Sequence, residues 1–166
     1  MSALSSDLHR AIVSVWAAKL DQLFQTSWST TERTRFVTLN ETEAAPGTPL
    51  PHCVFEQIPN NELSRMSGGS ADETGTKRKV RGVPILFHIY AKQDGATSAK
   101  AIAESLFEEV LGVYGGHPTK KPTPLTLTHG SVINCQYRND YPVREGDTEH
   151  RWVIEYMIYV DTAYLV

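Results

Sequence analysis

The chain has 166 residues, of which 40% are hydrophobic and 21% are charged, and its formal net charge is −3 at pH 7. This composition is that of an ordinary globular domain with one hydrophobic core, so it excludes a wholly disordered chain. The slightly acidic balance provides no overall positive field to attract nucleic acid, and no apolar run approaches the roughly 18 to 20 residues that span a bilayer. The N-terminus lacks the features of a secretory signal, so we expect synthesis and retention in the host cytoplasm.

An amphipathic helix is predicted near the N-terminus, because apolar residues recur there with a period of about 3.6. Ser5 or Ser6 is expected to cap this helix, with Asp7 near the positive end of its dipole. The polar segment 26–31 is expected to end it. The apolar stripe comprises Leu8, Ile12, Val15, Trp16, Leu20 and Leu23.

Short strands are predicted next at 35–39 and 52–58, with a turn-rich connector at 45–51 between them. Residues 60–82 are almost wholly polar, and we expect a mobile loop because such a segment buries too little apolar surface to offset its ordering entropy. The clearest strand follows at 83–91, where one face is apolar and the other is mixed. Its apolar face comprises Val83, Ile85, Phe87, Ile89 and Ala91.

A second helix is predicted to begin at a Ser98 cap and to end at Gly112. Pro-rich residues 118–124 then lead to a short predicted strand at 125–128.

Two long strands are predicted at the C-terminus, at 131–143 and 150–160. The Glu-Gly-Asp centre of segment 144–148 is turn chemistry, so the two strands are expected to pair as an antiparallel hairpin. The order of elements predicts one α+β domain over residues 1–166. It would have a mainly antiparallel sheet, two helices packed on one face and a long C-terminal β-hairpin.

The sequence contains no pattern that we interpret as a catalytic, metal or cofactor site. His129-Gly130-Ser131 is interpreted as a turn between strands, since three adjacent residues do not place an imidazole and a hydroxyl in productive geometry. Cys53 and Cys135 each lie in an apolar strand pattern and are expected to be buried thiols. The six histidines are spread over different elements without paired spacing. We therefore expect a protein that is not an enzyme and binds no cofactor or metal.

The one concentrated charge run, 77–81, allows two interpretations. It is either a contact surface for nucleic acid or an acidic protein, or a solubilising gatekeeper beside the apolar strand that follows. The candidate interface residues are Lys77, Arg78, Lys79 and Arg81 in this run and Arg144, Glu145 and Asp147 in the hairpin turn.

The order of the elements, together with several short strings, resembles one known family. The strings are Leu50-Pro51-His52-Cys53-Val54-Phe55-Glu56, then Val83-Pro84-Ile85-Leu86-Phe87-His88-Ile89-Tyr90-Ala91, followed by the helix at 99–107 and the hairpin at 135–160. In this arrangement the chain resembles the tail terminators (minor tail or tail-completion proteins) of long-tailed phages.

The resemblance implies a virion protein of the neck region, without membrane contact, that assembles as a homo-oligomeric ring, commonly of six subunits. Its partners would be the tail-tube protein and the head-side connector protein, with DNA only passing through the lumen. Another head–tail connector, such as a head-completion or stopper protein, is an alternative. A further alternative is a small enzyme or ligand-binding module that uses a pocket between the sheet and the helices, with His88 and Tyr90 as its polar groups.

Overall fold

Two helices and one sheet make up the fold, and their bounds follow from a computed structural model. It describes residues 3–23, 40–41, 52–58, 79–92, 97–145 and 149–162. In chain order the elements are α1 (Ala3–Leu23), β1 (Asn40–Glu41), β2 (His52–Gln57), β3 (Lys79–Lys92), α2 (Thr97–Tyr114), β4 (Gly130–Glu145) and β5 (Glu149–Thr162).

The sheet has the strand order β1-β2-β3-β5-β4. Strands β2, β3, β5 and β4 are antiparallel neighbours, and the two-residue β1 adds a short parallel pairing to β2. The predicted α+β class and the C-terminal hairpin are therefore confirmed. The predicted strand at 35–39 and the hairpin residues 146–148 lie outside the described residues.

One face of the sheet carries the core, because alternate residues of a strand point to the same side. On β3 the side chains of Val83, Ile85, Phe87 and Ile89 are all buried on this face. They belong to the same hydrophobic cluster as buried residues of both helices. The prediction of two helices on one face is thus confirmed. The helix residues in this cluster are Leu8, Ala11, Ile12, Trp16, Leu106, Val110, Leu111, Val113 and Tyr114.

The end of α2 differs from the prediction. Gly112 lies inside the helix, where an added Cβ would come within 2.7 Å of the Lys120 side chain. The helix instead ends before Gly115 and Gly116, whose φ angles of 125° and 100° require the left-handed region. The Gly115 N–H still bonds to the carbonyl of Leu111 at 3.0 Å, which closes the last turn.

The predicted strand at 125–128 is wrong, because these residues are not paired into the sheet among the residues described. Leu125 and Leu127 are nevertheless buried, and this alternation produced the strand-like pattern. The segment lies against α1, since Arg10 and Val15 line a small cavity together with Leu127. Apolar alternation thus reports burial of every second side chain, and it does not by itself specify strand pairing.

Three predicted starts of helices or strands also change. α2 begins at Thr97, so Ser98 lies within that helix and does not cap it. α1 begins at Ala3, so Ser5 and Ser6 lie within the helix and do not cap it. β3 begins at Lys79, so residues 79–82 of the predicted 60–82 loop are strand, held by pairing with the end of β5. The remainder of that loop, residues 60–78, lies outside the described residues, and its mobility stays a prediction.

Asp7 is the one buried charged or polar residue in the described core, at 7% exposure. Its Oδ2 accepts hydrogen bonds from the backbone N–H groups of Thr128 (2.8 Å) and His129 (3.2 Å). Arg10 forms an ion pair with the same carboxylate and also donates to the Thr128 hydroxyl. Asp7 therefore connects α1 to the segment that leads into β4. This tertiary contact replaces the predicted interaction with the helix dipole.

We expect D7A to lower the free energy of unfolding by about 2 to 3 kcal/mol, because it leaves two backbone donors without their carboxylate. R10A should cost less, about 1 kcal/mol or below, since Arg10 is largely exposed and the N–H bonds to Asp7 remain. Urea unfolding of the two variants measures the difference. Equal losses in D7A and R10A would contradict this assignment.

Candidate functional site

The basic candidates lie at the start of β3. Lys79 and Arg81 are its first and third residues, and they pair with Thr162 and Val160 of β5. Arg81 is half-buried and falls on the same face of the strand as the buried core residues, at the end of the row. Lys77 and Arg78 lie outside the described residues.

The hairpin candidates lie at the far end of the same sheet. Arg144 and Glu145 are the last residues of β4, paired with His150 and Glu149. Asp147 lies outside the described residues. β3 begins at Lys79 and ends at Ala91 and Lys92, which pair with His150 and Glu149, so it spans roughly 44 Å at about 3.4 Å per residue. The four candidates that the structure describes therefore form two separate pairs at opposite ends of the sheet.

β4 is an outermost strand of the described sheet, but its edge is irregular. Register shifts at Ile133 and Arg138 interrupt the pairing with β5, and Pro142 lies farther along the strand. Bulges, charges and proline are the features by which natural edge strands limit pairing with other chains. Ile133 is nonetheless 57% exposed, the largest exposed fraction among the large apolar side chains described.

The face of the sheet opposite the helices carries polar pairs that cross between strands. Glu56 Oε2 lies 3.2 Å from His88 Nε2, and the Arg151 guanidinium lies 5.8 Å from the centroid of the Tyr90 ring. Val153 is buried beside them, so this face is only partly polar. His88 and Tyr90 thus point away from the helices. They therefore do not line a pocket between the sheet and the helices, where the aromatic core packs.

The residues considered for nucleophilic chemistry do not come together in one site. His129 and Ser131 are exposed at the start of β4, and the His129 backbone is held by Asp7. Cys53 and Cys135 are both free thiols. Burial raises the pKa of the Cys53 thiol far above its usual range and raises that of Cys135 to about 12, so neither forms an appreciable thiolate at neutral pH.

Two further findings concern the described residues alone. Within them there is no group of three or more His, Cys, Asp or Glu side chains placed to hold a metal ion. Neither α1 nor α2 is long and apolar enough to cross a membrane.

An acidic aromatic cleft between α2 and β5 was not predicted from the sequence. Its cavity has a volume of about 450 Å³ and is lined by Glu104, Phe107, Glu108 and Trp152. The rings of Phe107 and Trp152 lie 6.0 Å apart between centroids at an angle of 60°. The spacing of Glu104, Phe107 and Glu108 at i, i+3 and i+4 does place them on one side of a helix. Nothing in the local sequence places Trp152 opposite them.

No protein-family model matches this sequence, and a search of curated proteins finds no match. Among solved structures, one chain of the "Virion of native gene transfer agent (GTA) particle" is 15% identical. The aligned region covers 97% of this chain and 99% of that one, with a TM-score of 0.48. Similarity at this level establishes neither a shared fold nor a shared function.

We expect C53A to fold and to lose about 1 to 2 kcal/mol of stability, because it removes a sulfur from a fully packed site. C135A should lose less, since Cys135 is only half-buried. Urea unfolding measures both losses. A C53A protein of normal stability that no longer enters particles would show that the thiol has a function beyond packing.

Stability is expected to fall at alkaline pH. Burial raises the folded-state pKa of Cys53, Cys135, Tyr114 and Tyr156 above the usual 9.0 for Cys and 10.0 for Tyr. The unfolded chain therefore releases these protons first. The stabilisation is complete below about pH 9 and is lost as the pH rises towards the folded values.

Urea midpoints between about pH 8 and pH 11 should show this decline. In Y156F the decline should be shallower, because one of the four acids is absent. Midpoints that stay constant over this range, or an unchanged slope in Y156F, would contradict the prediction.

Proposed function

We propose that this chain is a structural virion protein that acts as a tail terminator. It assembles as a ring, hexameric by resemblance to the family, on the last ring of the tail tube. There it stops tube polymerisation and joins the tail to the head-side connector.

The observation that supports this proposal is the arrangement of the strings on which the family resemblance depends. The two apolar strings, which are separated by some 30 residues in the sequence, become the neighbouring antiparallel strands β2 and β3, with Cys53 opposite Ile89. β5 of the hairpin pairs with the other side of β3, and α2 packs on β3. The strings therefore belong to one continuous piece of structure, as the family resemblance implies.

A protein with this shape suits a capping role for a physical reason. A tube of identical stacked rings offers the same growing end after each addition, until a different ring occupies that end. A capping subunit therefore needs separate surfaces for the tube, for the connector and for its own neighbours. Lys79 and Arg81 lie at one end of the sheet and Arg144 and Glu145 at the other, roughly 44 Å away by strand rise. They provide separated surfaces on one element.

The functional test is a particle made without this chain. Because the tube end then stays open, we expect tails that are long and variable in length, together with full heads that lack tails. Negative-stain electron microscopy gives the distribution of tail lengths. Supplying the intact chain from a second copy of the gene is the control and should restore uniform, attached tails.

The alternative connector role predicts a different result from the same experiment. A head-completion or stopper protein acts on the head side, so its loss should leave tails of normal length that are merely unattached. Uniform tails still joined to heads would contradict both roles.

A further inference from the structure

The acidic aromatic cleft has the chemistry of a receptor for a basic side chain. Two ring faces, Phe107 and Trp152, attract cations through their quadrupoles and also accept the methylene stem of Lys or Arg. Glu104 and Glu108 add two carboxylates beside them on α2. A guanidinium suits this combination best, because it stacks on rings and donates to carboxylates in the same plane.

One of these carboxylates is held in place by a neighbouring histidine. His117 Nδ1 accepts hydrogen bonds from the backbone N–H groups of Thr119 (3.2 Å) and Lys120 (3.1 Å). The ring proton therefore sits on Nε2, which lies 3.0 Å from Glu108 Oε2. Glu108 is thus oriented before any ligand arrives, which lowers the entropy lost on binding.

Arg81 carries a guanidinium but does not reach the cleft of its own subunit. Arg81 pairs with Val160, whereas Ile89 pairs with Trp152, eight residues farther along the same two strands. At about 3.4 Å per residue this separation is roughly 27 Å, several times the length of an arginine side chain. The contact is therefore available only between two copies.

We propose that the cleft formed by Glu104, Phe107, Glu108 and Trp152 binds the Arg81 end of β3 from a second copy of this chain. The inference rests on the proposed ring assembly and specifies one of its interfaces. Arg81 of each subunit binds the cleft of one neighbour, and the subunit's own cleft binds Arg81 of another. The contact is therefore heterologous. Repetition of a heterologous contact closes a ring when the rotation permits. Opposite charges at the two surfaces also favour this orientation over a symmetric pair.

Self-association of the full chain tests the proposal by sedimentation velocity, at protein concentrations up to about 1 mM so that weak contacts are covered. We expect concentration-dependent association that high salt weakens, because the charges are only partly buried. E104Q and R81Q should each weaken it about tenfold. E56Q is the matched control, since it removes a carboxylate from the opposite face of the sheet, and it should leave association unchanged.

Mixing the two variants distinguishes a heterologous contact from a folding defect. R81Q retains an intact cleft and E104Q retains an intact basic end, so an equimolar mixture should form dimers with wild-type affinity that do not extend further. Carbodiimide coupling of the R81K variant should join position 81 to Glu104 or Glu108 only between subunits, as mapped by mass spectrometry.

Three results would overturn the proposal: a wild-type chain that stays monomeric throughout, equal weakening by E56Q and E104Q, or a mixture that does not associate. Any of these leaves the capping role untouched, because that role is judged by tail length in particles that lack the chain.

Discussion

Burial of Phe87 between two tyrosines is the interaction on which the rest of the fold depends. The Phe87 ring stacks on Tyr114 at 4.8 Å and meets Tyr156 edge-on at 5.6 Å, so the centre of β3 is joined to α2 and to β5. The Tyr114 hydroxyl donates to the carbonyl of Ile12 at 2.7 Å, and that of Tyr156 donates to Gly115. Each ring therefore contributes apolar area, and its hydroxyl also bonds to a backbone carbonyl, that of Ile12 within α1 or that of Gly115 just after α2. Both helices and the hairpin are positioned by this one cluster.

This packed centre determines where the proposed assembly surfaces lie. Because β3 and β5 pair over their full length, the start of β3 and the last residues of β4 are held at opposite ends of one sheet. The acidic cleft is lined by residues of α2 and by Trp152 of β5. Its geometry therefore depends on how α2 packs on the sheet. A subunit of this kind presents fixed surfaces in fixed directions. That property is what a closed ring requires, since small errors in the angle between neighbours accumulate around it.

The sequence was sufficient to predict the elements whose side chains repeat with a clear period. The apolar stripe of α1, the alternation of β3 and the two long strands of the hairpin all predicted elements of the right type, and the buried Cys53 followed from its strand. Sequence reasoning failed where tertiary contacts decided the outcome. Gly112 stays helical because α2 has a better stop in the two left-handed glycines that follow. Leu125 and Leu127 alternate like a strand but pack against a helix.

The candidate site was less predictable than the fold for the same reason. The charged residues 77–81 and 144–147 stand out in the sequence, yet the separation of Lys79 and Arg81 from Arg144 and Glu145 along the sheet follows only from the strand register. The contact of Asp7 with Thr128 was not predicted, and neither was the cleft that includes Trp152. In both cases the partner residues are distant in the chain. Local patterns carry no information about such pairs.

The most direct test of the central claim is cryo-electron microscopy of the neck of particles that contain this chain. The capping account predicts one ring of copies, related head to tail, seated between the last ring of tube protein and the head-side connector. Density for the chain at any other position in the particle, or its absence from purified particles with normal tails, would contradict the account.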